Sequence, residues 1–224
     1  MVKDSSFVRL LRVTNEAALL LEGRTRRLIV ADLHLGLFID DRIVVESLKR
    51  LVERVEADEV IVAGDVKHDI GMRMRERKAV EELVRAIEIP LLVVKGNHDG
   101  GIDDIVETAS PHGIRVGKVG IIHGHALPND EVLQADVLIV GHAHPAVLIR
   151  DEVGGVKKRI WLEGRAEIDD EEIEIIVMPA FNDLCASTAV NIERPAGVIF
   201  RRWDYRKAEA MLLDGTLLGR VEML

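Results

Sequence analysis

The sequence predicts an α/β fold in which two sheets face each other and helices lie on the outside. Up to about residue 115, short apolar runs alternate with amphipathic segments, the order of strands and helices that builds a mainly parallel sheet. Beyond that point, closely spaced apolar runs separated by turn residues, such as Gly154-Gly155, indicate a β-rich half. No long linker rich in Gly, Ser or Pro interrupts the chain, so we expect one domain over residues 1–224.

The first half alternates strands with helices. Three apolar runs predict buried strands at residues 28–31, 60–63 and 91–94. Residues 41–56 predict a helix because its apolar side chains recur on one face, namely Val44, Leu48, Leu51 and Val55. Residues 75–87 predict a second helix with the apolar face Val80, Leu83, Val84 and Ile87, and Pro90 follows its end. The second half predicts strands at residues 119–122, 137–140, 146–150, 158–163, 173–178 and 197–201.

Composition excludes several classes of protein. The chain has 224 residues, a formal net charge of −9, one cysteine and eight histidines. A single cysteine excludes a disulfide framework, and the acidic balance argues against a protein that coats nucleic acid or anionic membrane. The first 22 residues contain charges at Lys3, Asp4, Arg9, Arg12 and Glu16, so we expect no signal peptide and a cytoplasmic protein.

Most of the histidines fall in short polar clusters directly after apolar runs. The clusters are Asp32-Leu33-His34, Gly64-Asp65, Gly96-Asn97-His98-Asp99, His123-Gly124-His125 and Gly141-His142-Ala143-His144. Taken singly, each is compatible with a turn, a helix cap or a hydrogen-bonded pair at a strand end. Taken together they predict one site, because the carboxyl ends of strands in an α/β sheet are where ligand sites collect.

The donor types in these clusters favour a transition metal. An Asp-x-His or His-x-His pair on extended backbone would put both side chains on one face, where they could hold one ion. Carboxylate, amide and imidazole donors without thiolate suit Mn, Fe, Zn, Co or Ni better than Mg or Ca. Among these ions, we expect Mn²⁺.

The order of the five clusters resembles that of the calcineurin-like metallophosphoesterases. Further segments resemble a narrower branch, the SbcD-related phosphoesterases of the DNA-ligase-associated type. These segments are Ala31-Asp32-Leu33-His34-Leu35-Gly36, Gly64-Asp65-Val66-Lys67-His68, Pro179-Ala180-Phe181-Asn182 and Leu213-Asp214-Gly215-Thr216. The chain departs from the superfamily at Val66-Lys67-His68-Asp69, where an acidic or amide residue often follows Gly-Asp sooner.

The resemblance implies a four-layer α/β/β/α sandwich and two divalent metal ions. One ion would be held by Asp32, His34, Asp65 and His144, and the other by Asp65, Asn97, His123 and His142, with Asp65 shared. His98 would act on the substrate with Asp99 orienting it. His125, His68 and Asn182 would bind substrate or support the ligands, whereas His112 is interpreted as a turn residue and Cys185 as an unreactive thiol.

The function implied is hydrolysis of phosphodiesters, with DNA or nucleotides as candidate substrates, through attack by a hydroxide that bridges the two metals. A small-molecule phosphomonoesterase is the alternative, and a non-catalytic metal-binding scaffold of the same fold is a second one. We expect a phosphoester substrate as the partner, no membrane, and a homodimer as an open alternative to a monomer.

Overall fold

The strands divide between two sheets in chain order. The computed structural model describes residues 9–37, 41–150, 152, 154–169 and 171–224. Within those residues, the first sheet has six strands in sequential order: β1 (Arg9–Arg12), β2 (Ala18–Glu22), β3 (Arg27–Val30), β4 (Glu59–Val62), β5 (Leu91–Val94) and β6 (Glu107–Ala109). Strands β1 to β3 pair antiparallel and β3 to β6 pair parallel, so this sheet is mixed.

The second sheet takes all the later strands that the structure describes. They are β7 (Ile114–Val116), β8 (Val119–Ile122), β9 (Val137–Val140), β10 (Pro145–Arg150), β11 (Gly155–Ile168), β12 (Glu171–Val177), β13 (Thr188–Ala189), β14 (Glu209–Leu212) and β15 (Leu217–Arg220). Their order is β13-β10-β11-β12-β9-β8-β7, and β14 joins β15 to β11. Parallel pairing of β8, β9 and β12 makes this sheet mixed as well.

The two sheets pack face to face through an apolar layer. Side chains from both sheets meet there, including Leu19, Ile61, Ile139, Trp161 and Met178. On the outer face of the first sheet lie helices α1 (Arg42–Val55) and α2 (Met74–Ala86). The outer face of the second sheet is covered by short elements, among them α3 (Asp130–Leu133) and 3₁₀ turns. The four-layer α/β/β/α prediction is confirmed, with a thin fourth layer.

The predicted helices are confirmed within two residues at each end. In α1, Val44, Leu48 and Leu51 are buried, and Val55 packs against the same core from a partly buried position. The helix ends where Glu56 takes a left-handed conformation (φ 50°), which lets Ala57 N–H bond the Val52 carbonyl.

One predicted strand is wrong. Residues 197–201 form no strand; Ile199–Arg201 is a 3₁₀ turn that buries Ile199 and Phe200 against the second sheet. A short apolar run reports burial, and periodicity alone does not separate a buried strand from a buried helical turn. The predicted strands elsewhere are confirmed within a few residues at most ends, although β11 is 14 residues long and was predicted over only 158–163.

Strand register brings the polar clusters to one edge. Val30 pairs with Val62 and Val62 with Val93, so the first three clusters start at one level of the first sheet. Ile122 pairs with Val140 in the second sheet, which aligns the two histidine clusters in the same way. The backbone N–H of Phe181 donates to the Ala31 carbonyl (2.8 Å) and fastens the sheets together at this edge.

Candidate metal centre

The predicted metal ligands lie on loops whose backbone is unusual. Asp32, His34, Asp65, His142 and His144 all adopt positive φ, between 43° and 67°. Residues other than glycine rarely take this left-handed conformation, and such strain collects at functional sites. The expectation that the Asp-x-His and His-x-His pairs sit on extended backbone is therefore wrong. The side chains do converge, but it is the left-handed turns after the strands, and not extended backbone, that direct them toward one another.

Two glycines let these loops approach each other closely. A β-carbon on Gly64 would lie 2.3 Å from Nδ1 of His123, and one on Gly96 would lie 2.1 Å from Oδ1 of Asp65. Real β-carbons do not approach other atoms so closely, so both positions need glycine. Each of these glycines makes room for a predicted ligand that belongs to a different loop.

The first ligand group contains Asp32, His34 and His144. Oδ1 of Asp32 lies 3.2 Å from Nε2 of His144, and the two histidine Nε2 atoms are 3.3 Å apart. Oδ2 of Asp32 accepts a hydrogen bond from the His142 backbone N–H (3.0 Å). Asp32 is fully buried, yet its Oδ1 atom has no hydrogen-bond partner within the described residues, as expected of an atom that binds a cation.

The second group contains Asp65, His123 and His142. Nε2 of His123 lies 3.2 Å from Oδ2 of Asp65 and 3.1 Å from Nδ1 of His142. Oδ2 of Asp65 is also 3.8 Å from Nε2 of His34, which belongs to the first group. Asp65 thus lies between the groups, where a carboxylate shared by two ions would have to be.

Hydrogen bonds on the far side of two rings fit metal binding. Nδ1 of His123 bonds the Ala63 carbonyl (2.9 Å), and Nδ1 of His144 bonds the Ala186 carbonyl (2.8 Å). A carbonyl only accepts, so Nδ1 carries the proton and a neutral ring keeps its Nε2 lone pair for the site. Metal-binding histidines are oriented in this way in proteins. The residues present therefore fit divalent ions.

Charges in the site shift the pKa values in opposite directions. Burial would raise the pKa of Asp32, but His144 and His123 hold it below the ordinary value. Burial lowers the pKa of His34 and of His142 to about 4. Burial also opposes protonation of His123, but Asp65 and Asp32 outweigh it and raise the pKa of His123 to about 9.

The loop with Asn97, His98 and Asp99 closes over Asp65. Asn97 is exposed at the rim, and the backbone N–H of His98 donates to Oδ1 of Asp65 (2.9 Å). The His98 ring is about one quarter exposed, and its Nε2 lies 3.9 Å from Oδ2 of Asp65. His98 is thus both reachable from solvent and adjacent to the second ligand group.

Asp99 does not orient His98 as expected. Its buried carboxylate accepts the backbone N–H groups of Asp65 (2.7 Å), Val66 (2.9 Å) and Gly96 (2.8 Å). Nδ1 of His98 instead bonds the His68 carbonyl. Asp99 therefore fixes the backbone of two loops, because three amide donors next to a buried carboxylate satisfy it more fully than one ring N–H would.

The remaining candidates lie around this centre or away from it. His68 stacks on His98 with ring centroids 5.9 Å apart, and His125 packs against His123 at 5.3 Å. Asn182 is buried and its side chain donates to the Leu33 carbonyl (2.9 Å), so it stabilises the turn between Asp32 and His34. His112 is exposed and bonds the Leu127 carbonyl. Burial raises the pKa of the Cys185 thiol to about 12, which keeps it unreactive.

Sequence reasoning missed the role of Lys67. This side chain is fully buried beside the metal ligands, and its ammonium group reaches the backbone carbonyl of His98. The available signal was its place in the Gly64-Asp65-Val66-Lys67-His68 motif, directly after a buried strand. A lysine at such a position is expected on the solvated surface, because lysine side chains are rarely fully buried.

A family comparison agrees with this centre. The calcineurin-like phosphoesterase superfamily domain matches residues 26–162, which is more than half of the chain and includes all five polar clusters. The chain belongs to this superfamily. No curated protein matches this phosphoesterase-family chain in sequence.

Comparison with solved structures finds chains similar to this superfamily member. A nuclease, MPE from Pseudomonas putida, is 17% identical with a TM-score of 0.62, over 95% of this chain and 100% of the nuclease. Yfce, a phosphoesterase from E. coli, is 18% identical with a TM-score of 0.43, over 87% and 97% of the two chains. Wild-type Vps29 from Entamoeba histolytica complexed with Zn²⁺ is 17% identical with a TM-score of 0.37, over 73% and 78%. The likeness to the nuclease shows the fold.

The helices of the described residues do not include one with the length and apolar character needed to cross a bilayer.

Proposed function

We propose that this chain is a metal-dependent phosphodiesterase that uses two divalent ions and acts on nucleic acids or nucleotides. Mn²⁺ is the ion that we favour. The observation that carries the proposal is the pair of ligand groups, Asp32-His34-His144 and Asp65-His123-His142, with Asp65 between them. Membership of a phosphoesterase superfamily supports the reaction class. The shared fold with a nuclease and the resemblance to the DNA-ligase-associated branch support nucleic acid as the substrate class.

The charge of the site favours an anion despite the acidic chain. The two ligand groups contain two carboxylates, Asp32 and Asp65, while their histidine ligands are neutral when they bind metal. Two divalent ions would therefore leave the centre positively charged. When bound, the ions would supply an activated water and neutralise charge on the phosphoryl oxygens.

His98 is the residue of this chain that donates a proton to the leaving group. The bond from its Nδ1 to the His68 carbonyl fixes the ring, so that Nε2 faces the side of Asp65 and the solvent-accessible mouth of the site. A protonated Nε2 can donate to the leaving oxygen, and general acid catalysis of this type contributes about 10²–10⁴-fold. Asn97, exposed on the same loop, completes the second ligand group in this proposal.

A substrate panel tests the proposal. Bis-p-nitrophenyl phosphate, p-nitrophenyl phosphate and single-stranded DNA are assayed with Mn²⁺, with and without a chelator. We expect chelator-sensitive hydrolysis of the diester and the DNA. Activity confined to the monoester would replace the proposal by a phosphomonoesterase, and Mn²⁺ binding without hydrolysis of any of the three substrates would favour the metal-binding scaffold.

Two histidine variants sharpen the same panel. His98→Ala should keep its Mn²⁺ and lose about 10²–10⁴-fold in kcat. His112→Ala is the matched control, because this exposed ring bonds the Leu127 carbonyl and belongs to neither ligand group, and it should keep full activity. Unchanged turnover in fully metallated His98→Ala would remove His98 from the mechanism.

A further inference from the structure

Lys67 is a buried cation held by backbone carbonyls. Its side chain has no exposed surface, and Nζ donates to the carbonyl oxygens of Asp69 (2.5 Å), Ile70 (3.1 Å) and Gly71 (3.1 Å), and to that of His98. An unpaired ammonium group in a protein interior is strongly unfavourable. Here the carbonyl dipoles take the place of water, much as they would around a monovalent metal ion.

The backbone of Lys67 is fixed beside the metal ligands. Lys67 forms an isolated parallel bridge with Leu35, the residue after His34. Leu35 N–H donates to the Val66 carbonyl (2.8 Å), and His68 N–H donates to the Leu35 carbonyl (2.8 Å). The stem of the lysine therefore starts from backbone that hydrogen bonds hold in place, two residues after Asp65.

The ammonium group joins two loops that carry the solvent-facing histidines. One loop contains Asp69, Ile70 and Gly71, directly after His68, and the other contains His98. The bond from Nδ1 of His98 to the His68 carbonyl joins the same two loops. If the ammonium group were absent, carbonyl dipoles from both loops would point at one another without a donor between them, and the loops would separate.

We propose that Lys67 is a positioning residue: an internal cation that holds the His68–Gly71 loop and the backbone of His98 in register over the metal centre. This inference rests on the proposed function only where turnover is the readout. The carbonyl cage itself is a property of the fold and can be tested without substrate.

The experiment is chemical rescue of Lys67→Ala by n-propylammonium, which replaces the three carbons and the ammonium group that the variant lacks. We expect kcat to fall about 100-fold, as for a displacement of about 1 Å at a reacting group, with KM and Mn²⁺ binding little changed. Millimolar n-propylammonium should restore kcat and raise the melting temperature of the metal-free variant, whereas 1-propanol, which has no charge, should do neither.

Two further variants keep the test decisive. Lys67→Met fills the space of the stem, so it should fold, lose kcat to a similar extent and resist rescue. Lys118→Ala removes an exposed lysine that pairs with Asp136, and n-propylammonium should have no effect on it. Wild-type kcat in Lys67→Met, or failure of both Lys67 variants to fold even with n-propylammonium, would overturn the proposal. An inactive wild-type protein whose Lys67→Ala variant is still stabilised by n-propylammonium would refute the proposed function but leave the cage in place.

Discussion

At the scale of single residues, His123 is held at both ring nitrogens. It is completely buried, its Nδ1 bonds the Ala63 carbonyl, and its Nε2 lies 3.2 Å from Oδ2 of Asp65. Without metal, the carboxylates of Asp65 and Asp32 raise the pKa of this ring to about 9. A proton therefore occupies Nε2 at neutral pH, at the position where the ring would bind an ion.

Metal binding should consequently depend on pH. His123 must lose its proton before Nε2 can bind Mn²⁺, so protons compete with the metal below pH 9 and affinity rises with pH. We expect the association constant to increase by about tenfold per pH unit from pH 6.5, and less steeply as the pH approaches 9, because the proton on His123 is displaced. His34 and His142, with pKa values of about 4, are already neutral in this range and add nothing to the slope.

Isothermal titration calorimetry in buffers of different ionisation enthalpy measures the protons released directly. Release of about one proton or more per protein at pH 7 is the expected result. Binding without proton release at that pH would show that His123 is neutral before the metal arrives.

At the scale of elements, the site is made by the junctions that follow the strands. The sequence could predict which strands carry ligands, because each cluster follows an apolar run. It could not predict the left-handed backbone of Asp32, His34 and Asp65, since that conformation is imposed by contacts between loops that are distant in the chain. The role of Asp99 was missed for the same reason, because its partners are backbone amides of two loops.

Gly64 offers a test of these junctions. A β-carbon there would meet the ring of His123 at 2.3 Å, so Gly64→Ala should displace that ligand and weaken Mn²⁺ binding by at least about tenfold. Gly215 is a matched control: its φ of 90° is close to the 85° of Gly64, but nothing lies within 4 Å of an added β-carbon.

The two variants separate backbone strain from ligand displacement. Gly215→Ala should lose about 1–2 kcal/mol of stability, the cost of placing an L side chain in left-handed backbone. Gly64→Ala should lose more, because its β-carbon also clashes with the buried ring of His123. Only Gly64→Ala should lose metal affinity. Equal Mn²⁺ binding by the two variants in titrations would show that His123 does not depend on this close approach.

At the scale of the whole molecule, the Asp32-His34-His144 and Asp65-His123-His142 groups each combine the two sheets. Asp32 and His34 follow β3 of the first sheet, and their partner His144 follows β9 of the second. Asp65 follows β4, and its partners His123 and His142 follow β8 and β9. An ion in either group would therefore bind the two halves of the sandwich to each other.

Mn²⁺ should accordingly stabilise the entire fold. At free Mn²⁺ of about 1,000 times Kd the gain is about 4 kcal/mol, which corresponds to a rise in Tm of roughly 10 °C for a chain of this size. Calorimetry with Mn²⁺ and with chelator measures the shift. Asp65→Asn should remove most of it, since that side chain lies between both groups. A Tm unaffected by saturating Mn²⁺ would mean that the ion does not link the sheets.

The sequence predicted the arrangement of the two sheets better than it predicted the strands at their edges. Two facing sheets followed from the change of pattern near residue 115, and the observed division between β6 and β7 falls at that place. The strands that were not predicted are β1, β2, β6, β7, β13, β14 and β15. Of these, β1 and β15 lie at free edges and are only partly buried, so their apolar signal is weak. Burial of Ile199 and Phe200 in a 3₁₀ turn could not be distinguished from a strand without the sheet beneath them.

The left-handed backbone of Asp32, His34, Asp65, His142 and His144 also has a consequence for how these positions evolve. Glycine would relieve the strain at each of these positions, so aspartate and histidine are kept there for what their side chains do, which in this centre includes binding an ion. In a descendant that had abandoned its metal, selection for stability alone would act on these residues first. Glycine at several of these positions in a relative would therefore indicate, independently of any assay, that the relative no longer binds the metal.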